Sequence, residues 1–207
     1  MRVRDLVLAS WQAEPEGIRA ALPEQLKPRA LDGRFLVSLV GFHVTGGRLG
    51  RLPLLPFSQL NARTYVSWRG KPAVFFLASR VTAGGLPGRL LGAPYRQARL
   101  RVREGLVRAP GLGVSLRYGL LREVDPGPLG HHELGLVEND GLRSFRIRRG
   151  EAEWWRGVPS EPARADFLVA LGLEPHGEPE LLYTARTQFE TTLLERVEGT
   201  RATASNG

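Results

Sequence analysis

The amino-acid sequence predicts a single α+β domain in which a strand-rich sheet is joined to a few short helices. Apolar and polar residues alternate with a period of two through several segments, and Pro-Gly turns separate those segments. Helical patterns are short and do not alternate with the strand patterns, so a doubly wound parallel sheet is not expected. No repeat or linker divides the chain, so we expect one domain over residues 1–198 and a disordered tail over residues 199–207.

The first half of the chain contains one predicted helix and three predicted strands. The helix is predicted over residues 14–27, because Pro15 suits a first helical turn. A strictly alternating segment and the apolar segment after it flank a turn at Lys71, so the two are predicted to form an antiparallel hairpin. The three strands are predicted at residues 34–44, 58–68 and 73–80.

The second half contains two further predicted helices and five further strands. Pro-Gly turns at residues 109–111 and 125–128 separate several of the strands. The helices are predicted over residues 84–94 and 161–173, the second with Ser160 as its N-cap. The strands are predicted at residues 97–103, 114–123, 131–137, 143–149 and 181–189.

The composition excludes several classes of protein. No apolar run approaches the roughly 18 residues that span a membrane, and the N-terminus lacks the apolar stretch of a signal peptide, so we expect a cytoplasmic protein without membrane contact. The absence of cysteine excludes disulfides, thiol nucleophiles and cysteine metal sites. His131 and His132 are adjacent and would point to opposite faces of a strand, so no metal site is predicted. No cofactor motif is found either.

Arginine supplies nearly all of the positive charge, because Lys27 and Lys71 are the only lysines in a chain of net charge +8. Lys27 is predicted at a helix end and Lys71 in a hairpin turn, so neither is expected to be buried. A catalytic amine requires a desolvated lysine whose pKa is lowered. Catalysis by an amine of this chain is therefore not expected.

Polar residues that can recognise a substrate alternate along the strand predicted over residues 58–68. With a period of two, their side chains project to one side of the strand and apolar side chains project to the other. Such a polar face can line a cavity or face water. In a cavity, Arg63 could pair bidentately with a carboxylate, while the two amides orient polar groups of a ligand. The four residues are Gln59, Asn61, Arg63 and Tyr65.

The same strand carries a resemblance to a known family. The string Leu60-Asn61-x-Arg63-Thr64-Tyr65-Val66 and the later Gly92-x-Pro94-Tyr95-x-x-Ala98 resemble the bacterial YqjF-like family. That family is a domain of unknown function grouped with the acetoacetate decarboxylase fold. Weaker matches at Trp11, Pro15-Glu16 and Asp32-Gly33-Arg34 extend the resemblance, which covers residues 8–198 and is densest over residues 8–102.

The resemblance implies a barrel-like sheet around an enclosed pocket that accepts small keto or carboxylic acids. In the decarboxylases a Schiff-base lysine and its lysine neighbour follow the Gly-x-Pro turn, whereas here Tyr95 and Arg96 stand in those places. A phenol cannot form an imine, and Gln59 replaces the carboxylate that commonly opens the family's motif. The resemblance therefore implies binding of a small acid or carbonyl compound and, in an enzyme, lyase or hydratase chemistry without a Schiff base.

Three residues outside the alternating face complete the candidate site. Tyr95 could donate a hydrogen bond or, if the charge of Arg96 or Arg63 lowered its pKa, act as a general acid or base. His43 is the histidine closest to the motif strands. A purely structural role is the alternative for both Tyr95 and His43. The candidate ligand-binding residues are Gln59, Asn61, Arg63, Tyr65, Tyr95, Arg96 and His43.

Arginine-rich strands support an alternative function. Residues 89–123 carry eight arginines and two glutamates, a net charge of +6. Their stripes could bind the phosphates of a nucleic acid or another anion, or form the solvated outer face of a barrel. We expect the solvated face and no nucleic-acid partner, and a homo-oligomer is left open. The stripes are Arg99, Arg101 and Arg103 in one segment and Arg146 and Arg148 in another.

Overall fold

Strands dominate the computed structural model of the chain, which describes residues 1–49, 52–53, 55–83, 93–130 and 133–197. The strands are β1 (Arg2–Gln12), β2 (Lys27–Pro28), β3 (Leu36–Gly46), β4 (Arg48–Leu49), β5 (Leu52–Pro53), β6 (Phe57–Trp68), β7 (Lys71–Val81), β8 (Tyr95–Gln97), β9 (Arg101–Arg103), β10 (Leu106–Ala109), β11 (Val114–Glu123), β12 (Leu134–Glu138), β13 (Leu142–Arg149), β14 (Trp155–Pro159), β15 (Arg164–Ala165), β16 (His176–Thr191) and β17 (Glu195–Arg196). The helices are α1 (Pro15–Ala20), α2 (Gly127–Gly130) and α3 (Asp166–Val169).

Seven of the described strands close into a barrel-like ring. Its order is β13-β12-β7-β6-β3-β1-β16, and β16 returns to pair with β13, where Arg149 opposes Phe189. Neighbouring strands of the ring are antiparallel, except that β12 runs parallel to β7. β6 is paired along its length with β3 on one side and β7 on the other, so its side chains are held in a fixed register.

The ring strands bury side chains on both of their faces. On β3, Val40 and Phe42 pack inside the ring, whereas the preceding Leu39 packs on the outside. The alternation follows from the pleat of a strand, which sends successive side chains to opposite faces. We call the inside group the inner cluster; it includes Leu8, Val40, Phe42, Tyr65, Leu129, Trp154 and Leu182, with Phe76, Tyr95, Ile147 and Phe189 packed against it.

A second sheet layer covers the outer face of β3 and β6. β14 pairs with β16, and β11, β10 and β9 continue the sheet from there. Val102 and Val107 of this layer pack in one core with Leu39 and Leu60 of the ring. The two layers meet closely at Gly41, where a Cβ atom would lie 3.3 Å from the Val107 side chain.

The strand-rich α+β fold with an antiparallel, barrel-like sheet is as the sequence predicts. The three strands predicted in the first half are present as β3, β6 and β7, and β6 and β7 form the expected hairpin, in which Trp68 pairs with Lys71. The strands predicted at 114–123, 143–149 and 181–189 correspond to β11, β13 and the longer β16.

The first predicted helix is shorter than residues 14–27. It ends at Ala20, because a residue that precedes a proline, here Leu22 before Pro23, is disfavoured in helical conformation. Lys27–Pro28 instead pairs with β6 as β2. The Arg19 side chain donates to backbone carbonyl oxygens of this turn, which satisfies acceptors that a longer helix would have used.

The helix predicted over residues 161–173 is also wrong in most of its length, since only Asp166–Val169 is helical. Ser160 is not its N-cap: the residue before the helix is Ala165, and the Ser160 N–H donates to the carbonyl oxygen of Arg117 at 2.9 Å. Arg164–Ala165 then adds to the edge of β11 as β15. Pairing with the sheet thus takes the residues that the sequence pattern assigned to the helix.

The strand predicted over residues 97–103 is divided between the two layers. Tyr95–Gln97 runs parallel to β7, whereas Arg101–Arg103 pairs antiparallel with β10. Residues 98–100 carry the chain from the ring to the second layer. This crossing places Tyr95 against the inner cluster and sends the arginines that follow to the outer surface.

Several strands were not predicted from the sequence, among them β1, β10 and β14. The alternation of β1 is interrupted at Asp5, whose φ is 52°, and its register with β3 shifts between Arg4 and Val7. β14 is a short strand that follows the buried Trp154. The strand predicted at 131–137 is present from Leu134.

Three predictions fall on parts of the chain outside the described residues. They are the helix at 84–94, of which residues 84–92 are not described, the histidine pair at 131–132 and the tail at 199–207. Within the described ranges, none of the helices has the length and apolar character needed to cross a bilayer.

Candidate functional site

The polar face of β6 lies inside the ring. Gln59, Asn61 and Tyr65 are 6%, 4% and 1% exposed, and Arg63 between them is half-buried. Tyr65 belongs to the inner cluster, whereas the intervening Leu60 packs outside the ring. Of the two alternatives that the alternation left open, a solvated face is therefore excluded for these four side chains. They form a polar patch in an otherwise apolar interior.

A chain of hydrogen bonds crosses this patch. The hydroxyls of Ser10 and Ser38 are 2.8 Å apart, and the Ser38 hydroxyl is 3.2 Å from the Tyr65 phenol. Arg63 Nη2 donates to the Tyr65 oxygen at 3.4 Å and to the carbonyl oxygen of Leu129 at 3.1 Å. Four side chains from β1, β3 and β6 are thereby held in one connected network.

Arg63 has an incomplete set of partners. Its guanidinium lies 5.6 Å from the centre of the Tyr65 ring and makes no ion pair with any described carboxylate. Its Nε atom is buried and has no hydrogen-bond acceptor among the described residues. A buried N–H group without an acceptor is costly. An anion placed beside Arg63 would satisfy both the charge and the unused donor.

Tyr95 joins the patch from β8. It lies opposite Ser79 of β7, packs against the inner cluster and shares a side-chain hydrogen bond with Gln59, whose Nε2 also donates to Asn61 Oδ1 at 2.8 Å. Burial raises the pKa of the Tyr95 phenol, and the hydrogen bond to Gln59 opposes that rise only in part. Tyr95 is therefore protonated at neutral pH, which suits a hydrogen-bond donor better than a general base.

Arg149 is a further inward-facing arginine that the sequence analysis missed. Its guanidinium stacks 4.6 Å from the centre of the Trp154 ring, and both Trp154 and the opposing Phe189 belong to the inner cluster. Burial, followed by the positive charge of Arg63, lowers the pKa of Arg149. The signal was present in the sequence: the alternation that places Arg146 and Arg148 outside places Arg149 inside.

His43 lies on the other side of the sheet. Its Nδ1 is 3.1 Å from the Ser58 hydroxyl, and both residues occupy outward positions between inward-facing neighbours on β3 and β6. Burial, then the charge of Arg4, lowers the pKa of His43, and Asp5 opposes this shift in part. The structure does not bring His43 together with Gln59, Asn61, Arg63 and Tyr65.

Arg96 is also separated from the patch. It is exposed and lies opposite Arg80. The Arg80 guanidinium stacks 4.8 Å from the centre of the aromatic ring of Phe167, which packs outside the barrel-like ring. The charge of Arg96 therefore acts on Arg80, whose pKa is lowered first by burial and then by Arg96. The sequence left open that Arg96 could lower the pKa of the Tyr95 phenol. The pKa of Tyr95 is instead raised, and Arg96 is not among the causes of its shift.

The two lysines lie at the surface, as expected. Lys27 is exposed in β2 and Lys71 is exposed at the start of β7. Of the described residues, no three His, Asp or Glu side chains are grouped closely enough to hold a metal ion.

Two surface cavities lie near the ring. One of about 320 Å³ is lined by Ser10, Leu36, Arg34, His176 and Glu180, among others, and one of about 180 Å³ lies between α1 and residues 172–174. Neither is lined by the polar residues of β6. Ser10 nevertheless connects the larger cavity to Arg63, because its hydroxyl begins the hydrogen-bond chain described above.

The arginine stripes face solvent. Arg101 and Arg103 of β9 are exposed, and Arg101 lies opposite the exposed Arg108 of β10. Arg146 and Arg148 are likewise exposed on the outer side of β13. The stripes therefore form the outer surface of the sheets, and anion binding by them stays an alternative hypothesis.

Comparison with known protein families assigns the chain to a family. The model of the family DUF2071, described as an uncharacterized conserved protein, matches residues 1–139. The chain belongs to this family. The uncharacterized protein YqjF of Bacillus subtilis (strain 168) is 33% identical over 78 residues, which are 36% of this chain and 32% of YqjF. The chain thus matches about a third of the length of that relative, in agreement with the resemblance noted in the sequence.

Solved structures share the fold over nearly the whole chain. The enduracididine biosynthesis enzyme MppR in complex with pyruvate has a TM-score of 0.60 at 15% identity, covering 92% of this chain and 86% of MppR. Acetoacetate decarboxylase from Legionella pneumophila has a TM-score of 0.63 at 12% identity, covering 91% of this chain and 82% of that enzyme. An acetoacetate decarboxylase-like enzyme from Sphingomonas wittichii RW1 has a TM-score of 0.56 at 18% identity, covering 95% and 92% of the two chains. At these identities the similarity establishes the acetoacetate decarboxylase-like fold alone.

Proposed function

We propose that the polar patch inside the ring binds a small carboxylate or keto acid, with Arg63 as the partner of the carboxylate. The observation that carries this proposal is the state of Arg63, which lies in an apolar interior without an anionic partner among the described residues and with a buried, unused Nε donor. Charge-assisted hydrogen bonds from arginine to carboxylate are among the stronger polar contacts in proteins, because the guanidinium can bind both oxygens.

The neighbouring groups would orient the rest of the ligand. Tyr65 shares its oxygen with Arg63 and Ser38, so its position is fixed before a ligand arrives. Gln59 and Tyr95 form a second pair on the same face, and the neutral phenol can donate to a carbonyl oxygen. A ligand that carries a carboxylate and a carbonyl group would match these two ends of the patch.

We expect no covalent imine on the chain, because Lys27 and Lys71 are both exposed. A donor at Tyr95 could stabilise negative charge that develops on a carbonyl oxygen during proton transfer or a lyase- or hydratase-type step. The fold of MppR, which binds pyruvate, and of acetoacetate decarboxylase supports a small-molecule ligand for this architecture.

Ligand-induced thermal stabilisation tests the proposal. The melting temperature of the wild-type chain is compared with that of Arg63→Ala across short carboxylic, hydroxy and keto acids, with the exposed Arg146→Ala as a matched control. A ligand at a hundred times its Kd stabilises a protein by about 2.7 kcal/mol. We expect an increase for at least one acid in wild type and Arg146→Ala, and its loss in Arg63→Ala. An equal increase in all three proteins, or none with any acid, would contradict the proposal.

A further inference from the structure

We infer that the ligand of the proposed site is a dicarboxylate, in which Arg63 binds one carboxylate and Arg149 binds the other. The inference rests on the proposed function and adds a second recognition residue and a substrate class to it.

Arg149 belongs to the interior by its contacts. It follows Ile147 at a spacing of two on β13, opposes Phe189 on β16 and stacks on Trp154, which is 3% exposed. Ile147, Phe189 and Trp154 all pack in the inner cluster. The flat face of the guanidinium is thus covered by the indole, which leaves its N–H edge for an acceptor.

The two guanidiniums are not neutralised by the chain. None of the ion pairs of the described residues includes Arg63 or Arg149. None of the buried polar residues of the described chain is an aspartate or glutamate. Arg63 is close enough to Arg149 for its charge to act on it. Placing two like charges in a partly desolvated interior is unfavourable unless counter-charge is supplied.

The number of charges determines the class of ligand. A monocarboxylate would neutralise one guanidinium and leave the other without a counter-ion. A ligand with two carboxylates supplies one for each, and both guanidiniums are already positioned, Arg63 by its hydrogen bonds to Tyr65 and Leu129 and Arg149 by stacking on Trp154. Preorganised donors lose little conformational entropy when the ligand binds.

Matched pairs of acids test the inference by isothermal titration calorimetry. Succinate is compared with butyrate, and 2-oxoglutarate with 2-oxobutyrate, using wild type, Arg149→Ala and the exposed neighbour Arg148→Ala. We expect the diacid of a pair to bind wild type and Arg148→Ala at least about tenfold more tightly than the monoacid, as a charge-assisted contact would give. In Arg149→Ala we expect the diacid to lose that advantage while the monoacid binds as in wild type.

A second variant protects the test from misfolding. Arg149→Met retains an unbranched side chain over Trp154 but removes the charge, so it should behave as Arg149→Ala does while its melting temperature without ligand stays close to that of wild type. Equal affinity for the two acids of each pair, or tighter binding of inorganic phosphate than of succinate, would overturn the dicarboxylate inference and leave the proposed function standing. Binding of no acid of either kind would overturn the proposed function itself.

Discussion

Single residues determine what the interior of the ring can do. Arg63 and Arg149 bring two positive charges into an apolar cluster, and Tyr65, Ser38 and Ser10 hold the first of them in a hydrogen-bond chain. The raised pKa of Tyr95 makes its phenol a donor across the neutral pH range. These residues together are the basis for proposing a small-anion site rather than a general-base centre.

At the residue scale, His43 should make the stability of the protein depend on pH. Its pKa is lowered in the folded state, chiefly by burial, so between that pKa and the value of about 6.5 in the unfolded chain the unfolded state binds more protons. Stability is therefore fully present above pH 6.5 and falls as the pH drops through the folded-state pKa. We expect His43→Gln to reduce this acid-side loss in urea unfolding at pH 7.5 and 5.5. The same loss in wild type and variant would contradict the role of His43.

At the scale of elements, local alternation predicted the hairpin of β6 and β7 because both strands and their turn are adjacent in the chain. The same local signal placed Gln59, Asn61, Arg63 and Tyr65 on one face. It could not show which strand would cover that face, because β1 and β16 pair across almost the whole length of the chain. For the same reason it could not show that Tyr95 would face Gln59 while Arg96 and His43 pointed away.

For the helices, local sequence patterns were a poor guide, because long-range sheet pairing overrides them. Residues 161–165 have a helical composition, yet pairing of Arg164–Ala165 with β11 takes precedence over helix formation. Arg149 could have been found from the sequence, since it occupies the inward position of a strand that was predicted correctly.

At the element scale, the turn that precedes β11 should tolerate only glycine at position 113. Gly113 has a φ of 60°, and a Cβ atom there would overlap the side chain of Asp166. The Asp166 N–H also donates to the Gly113 carbonyl oxygen. Gly113→Ala should lower the free energy of unfolding by about 1–3 kcal/mol through backbone strain and overlap. Gly111→Ala, where no atom lies within 4 Å of the Cβ position, is the matched control. Equal urea midpoints for the two variants would contradict this account.

At the scale of the whole molecule, two cores share the strands of one ring. The inner cluster carries the polar patch, and the outer core joins the ring to the second sheet layer through residues such as Leu60 and Val107. The fold class and its barrel-like closure were predictable from strand content and from the family motif. The separation of the arginines into an outer surface and two interior positions required the three-dimensional register.

For the molecule as a whole, buried phenols on both sides of the ring should make the protein less stable at alkaline pH. Burial raises the pKa of Tyr95, Tyr118 and Tyr183 above the value of about 10 found in unfolded chains. The unfolded state then loses phenolic protons first, so stability is fully present below pH 10 and falls as the pH rises above it. Urea unfolding at pH 8.5 and 10.8 should show this fall, and Tyr118→Phe should reduce it. A flat profile in wild type would contradict the burial of these phenols.

The central claim is that Arg63 receives a small carboxylate inside the ring. The most direct measurement is calorimetric titration of the acid that most stabilises the wild-type chain into wild type, Arg63→Ala and the exposed control Arg146→Ala. The account predicts one binding site in wild type and in the control, and a loss of at least about tenfold in affinity in Arg63→Ala. Unchanged affinity in a folded Arg63→Ala variant would show that the ligand binds elsewhere and would contradict the account.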